Sequence, residues 1–183
     1  MSNKEENLSG YGILYDKDKA LSKNADHFTY EGAVKPKWID INGHMNVAYY
    51  TLAFDLSLDE FFENVLGLGP SYVERSKSGP YSLQAQYHYL DELLQGERFY
   101  VKVYVRDFNA KCVHIVMEMF HSKKNTLTAV CEQVLINVDL NTRRSVEYPD
   151  WAKERIRNIS ECFSNEMFPS QAGSSIGLRK KNK

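Results

Sequence analysis

Three cysteines, Cys112, Cys131 and Cys162, are odd in number and widely spaced. They match neither a disulfide framework nor a zinc-ligand pattern, which points to a reduced, cytoplasmic chain. No run approaches the roughly 18 apolar residues that a spanning helix needs, and Met1 to Gly10 contain no apolar core of the kind a signal peptide carries. With 23 Lys and Arg against 24 Asp and Glu, the formal charge of -1 supplies no global field for nucleic acid or an anionic membrane. No Gly-x-Ser-x-Gly elbow occurs, which disfavours a serine hydrolase. None of the five histidines pairs with another at zinc-ligand spacing, so no metal site is expected.

What is present fits one packed domain. The 183 residues are 43% hydrophobic, and 13% are aromatic, including 12 Tyr, so phenolic rings are expected to line a pocket or an interface. Residues 1–27 read as a flexible polar leader, 28–148 as the folded domain, and 149–183 as a short helix followed by a disordered basic tail. From Phe28 to Trp38 apolar residues alternate in the manner of a strand, and Pro36 confines that strand to an edge. Val47 to Leu66 repeats apolar residues at i, i+3, i+4 and i+7 through Val47, Tyr50, Phe54, Leu58, Phe61, Phe62 and Val65. This predicts a long helix, ended by Gly67-Leu68-Gly69-Pro70, with Asp55, Asp59, Glu60 and Glu63 as polar punctuation. Because these glycines follow a helix and not a strand, they do not make a dinucleotide loop. From Tyr81 the period becomes two, and four successive stretches running to about Asp139 read as long antiparallel strands. In that reading Tyr81, Leu83, Ala85, Tyr87 and Tyr89 share one face. A long helix followed by a run of antiparallel strands implies an α+β domain whose curled sheet wraps the helix.

Directly before the helix stands Asp40-Ile41-Asn42-Gly43-His44-Met45-Asn46. It places a carboxylate, amides and an imidazole where a helix offers unpaired N–H groups and a partial positive charge. A polarised carbonyl or oxyanion would be stabilised there, with Asp40 close enough to act as base or nucleophile. Each residue also has a plainer reading. Asp40 suits an Asx-turn or a cap; Asn42 suits either a cap or a water holder; His44 suits fixing the turn; and Asn46 suits capping more than binding.

Strand, Asp-bearing turn, long helix and antiparallel run resemble the hotdog fold. The stretch from Trp38 to Tyr50 is similar to the acyl-CoA thioesterases of the 4-hydroxybenzoyl-CoA thioesterase type, with Asp40, Gly43, His44, Asn46 and Tyr50 at the matching positions. Trp38-Ile39-Asp40, Asn42-Gly43-His44-Met45-Asn46 and Leu90-Asp91-Glu92-Leu93 further resemble the betainyl-CoA thioesterases of carnitine and betaine breakdown. In that group Glu is usual where this chain has Gln84. The resemblance implies hydrolysis of an acyl-CoA thioester without metal or cofactor, in a homodimer or homotetramer. Asp40 would be base or nucleophile, with Asn42 and His44 beside it. Asn46, Tyr50, Tyr81 and the backbone N–H groups of Met45 to Val47 would contact substrate. A quaternary ammonium substrate would call for an aromatic cage, for which Trp38, Tyr49, Tyr72 and Tyr81 supply rings.

Two other readings compete. A non-catalytic acyl-binding module would keep the fold and lose turnover. An enoyl-CoA hydratase of this fold usually carries Asp-x-Asn-x-x-His. Here the imidazole comes one residue early, a turn of about 100° if the segment is helical.

Overall fold

The apolar stripe of the long helix organises the fold, because the sheet curls around it. In the computed structural model, which describes residues 28–178, α1 spans Val47–Phe61 and runs without a break into a π turn at Phe62–Leu66. Gly67 then adopts a left-handed conformation (φ 71°) that ends the helix. Tyr50, Ala53, Phe54, Ser57, Leu58 and Phe61 form the buried face of α1, at the expected helical spacing. The single predicted helix over 47–66 is therefore one continuous rod whose last turn is widened. A short helix α2, Pro70–Ser76, follows, and the Glu63 carboxylate accepts the Ser71 N–H in its first turn at 3.0 Å. Glu63 is thus a fastening between the two helices rather than surface punctuation.

The sheet is antiparallel in the order β1 (Thr29–Ala33), β3 (Arg98–Phe108), β4 (Cys112–His121), β5 (Leu127–Asp139), β2 (Ser78–Tyr89), with β6 (Arg144–Ser145) on the far side of β5's end. β1 and β2 are the two edges. β1 is shorter than the alternation over 28–38 suggests, because Pro36 opens a 3-10 turn, Pro36–Trp38. Pro80 is accommodated within β2 because that strand lies at an edge. A bulge at Leu83 breaks the register of β2: Ser82 pairs with Leu135, but Gln84 pairs with Val134. Tyr87, Ala85 and Ser82 consequently face α1 on the inside of the sheet, while Tyr81 faces out. The common face expected for Tyr81, Tyr87 and Tyr89 does not survive the extra residue.

Inner residues of three strands, among them Phe99, Val101, Val113, Ile115, Met117 and Leu135, close on the buried face of α1. Helix α3, Asp150–Cys162, adds Ala152, Ile156 and Ile159 to the same core, whereas Trp151 stays half exposed against Tyr72. Residues 164–178 return over the outer face of the sheet. There Phe168 meets Tyr104 edge-on, and the Gly173 N–H donates to the Glu132 carboxylate, which also binds Arg106 and His114. The leader over 1–27 and the basic end Arg179-Lys180-Lys181 lie outside the described residues. Among the described residues no helix is long and apolar enough to cross a membrane. The α+β hotdog architecture implied by the sequence is the one observed.

Phe61 is fully buried and meets the Phe28 ring edge-on at 5.3 Å. Phe61→Ala is expected to cost about 3–5 kcal/mol in denaturant unfolding, the range for a truncated aromatic core residue. A loss below 1 kcal/mol would show that α1 is not the centre of packing.

Candidate active site

The segment before α1 is a tight loop closed by its own backbone. Ile39 and Met45 form an antiparallel bridge, the Asp40 N–H donates to the His44 carbonyl at 3.0 Å, and the Gly43 N–H donates to the Asp40 carbonyl at 3.0 Å. Gly43 has φ 85°, which explains a glycine at the tip. The Asp40 Oδ1 accepts the Asn42 N–H at 2.8 Å, so the Asx-turn is present. This bond engages one oxygen of the half-buried carboxylate and fixes its orientation. Ile41, Asn42 and Gly43 are exposed, so Asn42 serves the loop through its backbone, and among the described residues its side chain caps nothing.

Met45 and Asn46 are committed elsewhere. The Met45 N–H donates to the Leu93 carbonyl at 2.8 Å and the Asn46 N–H to the Trp38 carbonyl at 2.9 Å. Met45 itself is buried, 1% exposed. Neither N–H is therefore available to a substrate oxygen, contrary to the expectation for Met45 to Val47. The Asn46 side chain accepts the Ala48 N–H at 3.0 Å as the N-cap of α1, and the Tyr49 N–H takes the Asn46 carbonyl. The Val47 N–H has no acceptor among the described residues, and the Val47 side chain is 56% exposed. One free donor, at the positive end of α1, is what the geometry leaves.

His44 is half-buried, and its Nδ1 lies 3.2 Å from the Met45 carbonyl. A carbonyl can only accept, so in this contact Nδ1 donates, which leaves Nε2 as the ring nitrogen not engaged by the turn. His44 also lies in the turn and not on the helix, so the rotation by about 100° invoked against a hydratase does not apply.

Tyr50 is buried, and its hydroxyl donates to the Asp91 carbonyl at 3.3 Å. Burial pushes its phenol up to about 12, with Asp91 and Glu92 as nearby negative charges. The Leu90-Asp91-Glu92-Leu93 stretch therefore clamps the motif twice, at Met45 and at Tyr50. Tyr81, by contrast, is on the outer face, where its hydroxyl accepts from Arg143 at 3.2 Å, and it does not join this group. Nor do the four proposed cage rings converge. Trp38 and Tyr49 stack nearly parallel at 5.2 Å, Lys35 already sits 5.6 Å over Trp38, and Tyr72 meets Trp151 near α3.

Sequence reasoning missed the aromatic row by which β2 packs on α1. Tyr89 meets Tyr50 edge-on at 5.3 Å and stacks with Tyr87 at 6.5 Å, and Tyr87 packs on Phe54 at 6.1 Å. Further along α1, Asp59 is half-buried, and burial together with the neighbouring Asp55 charge pushes its carboxyl up to about 6. The spacing of Asp55 and Asp59 by one turn was the available signal. Without the β2 bulge it reads as an ordinary solvated face.

An aspartate-bearing turn fastened to the first turn of the central helix of a hotdog fold is the arrangement the chain presents. The chain belongs to the thioesterase-like superfamily, whose family model matches residues 34–156. It is 28% identical over 150 residues to a betainyl-CoA thioesterase of Pseudomonas aeruginosa, covering 82% of this chain and 94% of that one. It is also similar to a Staphylococcus aureus protein whose structure was solved with CoA: TM-score 0.77, 26% identity, 83% of this chain and 95% of the other. A 1,4-dihydroxy-2-naphthoyl-CoA thioesterase from Synechocystis shares the fold, with TM-score 0.64, 15% identity, and coverage of 72% and 96%. The enzyme class implied by the sequence, an acyl-CoA thioesterase, is borne out by this membership and these relatives.

Because the folded pKa of Asp59 lies above its ordinary value of 3.8, the folded state binds the extra proton. The contribution of Asp59 to stability is then most favourable below about pH 4 and declines between there and about pH 6, by roughly 1–2 kcal/mol after allowing for partial exposure. Asp59→Asn is expected to raise the melting temperature at pH 7.5 and leave it nearly unchanged at pH 4. An equal shift at both pH values would show that ionisation of Asp59 carries no penalty.

Proposed function

We propose that the chain hydrolyses an acyl-CoA thioester to free CoA and a carboxylic acid at the turn preceding α1. The observation that carries this reading is an Asp40 carboxylate oriented by its Asx-turn in the loop that leads into α1, whose first N–H, that of Val47, has no acceptor among the described residues. The thioester oxygen sits on that N–H, where the helix end stabilises the negative charge that develops on addition to the carbonyl. Asp40 either removes a proton from the attacking water or attacks the carbonyl itself. Nε2 of His44, the ring nitrogen the turn leaves unengaged, contacts a water or the leaving group. Asn46 contributes by capping α1, so its support of the oxyanion site is indirect. Tyr50 anchors the Asp91 loop beside the acyl group.

Two finer assignments belong to the same reading. The acyl group is betainyl, a reading that rests on the relative in Pseudomonas aeruginosa, which spans nearly the whole domain. The working form is a homodimer or homotetramer in the cytoplasm. In support, edge strand β2 leaves residues 81–85 exposed on both faces, with Leu83 60% exposed. A bare edge of this kind is normally covered.

Thiol release from a panel of acyl-CoAs tests the assignment of Asp40. Asp40→Asn is expected to lower kcat/KM at least a hundredfold, the lower end of what a positioned base contributes. Equal release by both proteins would keep the enzyme and remove Asp40 from the chemistry.

A further inference from the structure

The backbone N–H of Asp40 is the last link in a chain of hydrogen bonds that begins at a side chain remote in sequence. Asp40 N–H donates to the His44 carbonyl at 3.0 Å, and the Met45 N–H donates to the Leu93 carbonyl at 2.8 Å. The His44 carbonyl and the Met45 N–H belong to one peptide group. The Leu93 carbonyl and the Leu94 N–H belong to another, and the Leu94 N–H donates to Glu97 Oε2 at 2.9 Å. In a planar trans peptide the C=O and N–H point in opposite directions, so gripping one end aims the other. Two peptide groups in series therefore connect the Glu97 carboxylate to the backbone of Asp40. Bonds in such a chain polarise one another, and an ionised acceptor at its head strengthens the first.

The head of the chain is itself held. Glu97 Oε1 lies 3.1 Å from Nε2 of His121, at the end of β4. That imidazole is buried, and its Nδ1 accepts the Lys123 and Lys124 N–H groups at 3.0 and 3.3 Å. Turning the ring would strand both donors, so the β4–β5 turn fixes where Nε2 points. The Leu94 N–H above all, with His121 and Lys124 adding to it, holds the Glu97 carboxyl below its usual range, which keeps it ionised at neutral pH. The turn itself does not need this carboxylate. The Glu97 N–H already closes it on the Leu94 carbonyl at 3.1 Å, and Gly96 N–H and Glu97 O pair with Val34. What the side chain adds is the aim of the Leu93–Leu94 peptide group.

We propose that Glu97, anchored by His121, is a positioning residue that sets the Asp40 turn through these two peptide groups. It rests on the thioesterase reading above and touches neither substrate nor the reacting atoms.

Two readouts test it, one independent of turnover. In Glu97→Ala the Met45 and Asp40 amide protons are expected to exchange with solvent at least tenfold faster, as each opens locally. The Asn46 amide, bonded to Trp38 outside the chain, stays within threefold of wild type. For acyl-CoA hydrolysis, kcat is expected to fall tenfold or more with KM within threefold, the signature of a misplaced reacting group. In an Asp40→Asn background the same substitution costs less than threefold, because no carboxylate is left to misplace. Glu97→Gln, whose amide oxygen still accepts the Leu94 N–H, recovers most of the lost kcat. His121→Asn keeps an acceptor near the Nδ1 position and removes only the contact to Glu97, so it serves in the same cycle if Glu97→Ala does not fold. An equal cost in both backgrounds, or a Met45 amide that exchanges no faster, overturns the positioning role. If Asp40→Asn is as active as wild type while Met45 exchange still rises, the anchor stands and the chemistry assigned to Asp40 falls.

Discussion

Two backbone hydrogen bonds, Met45 N–H to Leu93 O and Asn46 N–H to Trp38 O, fix everything downstream of them. They hold the residues just before α1 between the Trp38 turn and the β2–β3 connection, so the loop from Asp40 to His44 has one place to go. By using up both donors they also decide which helix N–H remains for a ligand. Had either been free, the anion site at the helix start would be broad and poorly placed. With both engaged it narrows to Val47, at the end of a loop whose Asp40 carboxylate is oriented by its own Asx-turn. The precision of the site comes from bonds made away from substrate.

The helix and the sheet hold this arrangement rigid. α1 is buried along a continuous apolar face, so its N-terminus cannot shift without disturbing the core packed around Phe54 and Phe61. The Tyr50 hydroxyl ties the same helix to the Asp91 backbone one turn below the site. On its open side the helix faces β2, and there carboxylates and rings replace aliphatic packing. Keeping Asp59 half-buried beside Asp55 costs stability, and burial and that neighbouring charge raise its carboxyl pKa. Such a cost is typical of surfaces kept for binding.

Most of the architecture was legible from period alone. The stripe from Val47 to Val65 and the alternation from Phe99 onward require a helix and strands that bury one face each. What period could not show was the bulge at Leu83, because an inserted residue leaves the local alternation intact and only reverses the face of what precedes it. That reversal removed Tyr81 from the site and brought Tyr87 to α1. The Asx-turn at Asp40 and the cap at Asn46 were readable because both depend on bonds within a few residues. The clamp by Leu93 and the loss of the Met45 donor were not, since they join segments nearly fifty residues apart. The Leu90–Leu93 stretch stood out only by family resemblance, and its role as a clamp needed the fold.

The central claim concerns where a thioester carbonyl rests. A crystal structure with the ketone analogue of betainyl-CoA tests it most directly. The expected result is the ketone oxygen within about 3 Å of the Val47 N–H, a normal hydrogen-bond distance, with the Asp40 carboxylate facing the carbonyl carbon. An analogue whose carbonyl lies elsewhere, for example in the cavity of about 260 Å³ bounded by Gln84, His114 and Glu132 on the outer face of the sheet, would contradict the account.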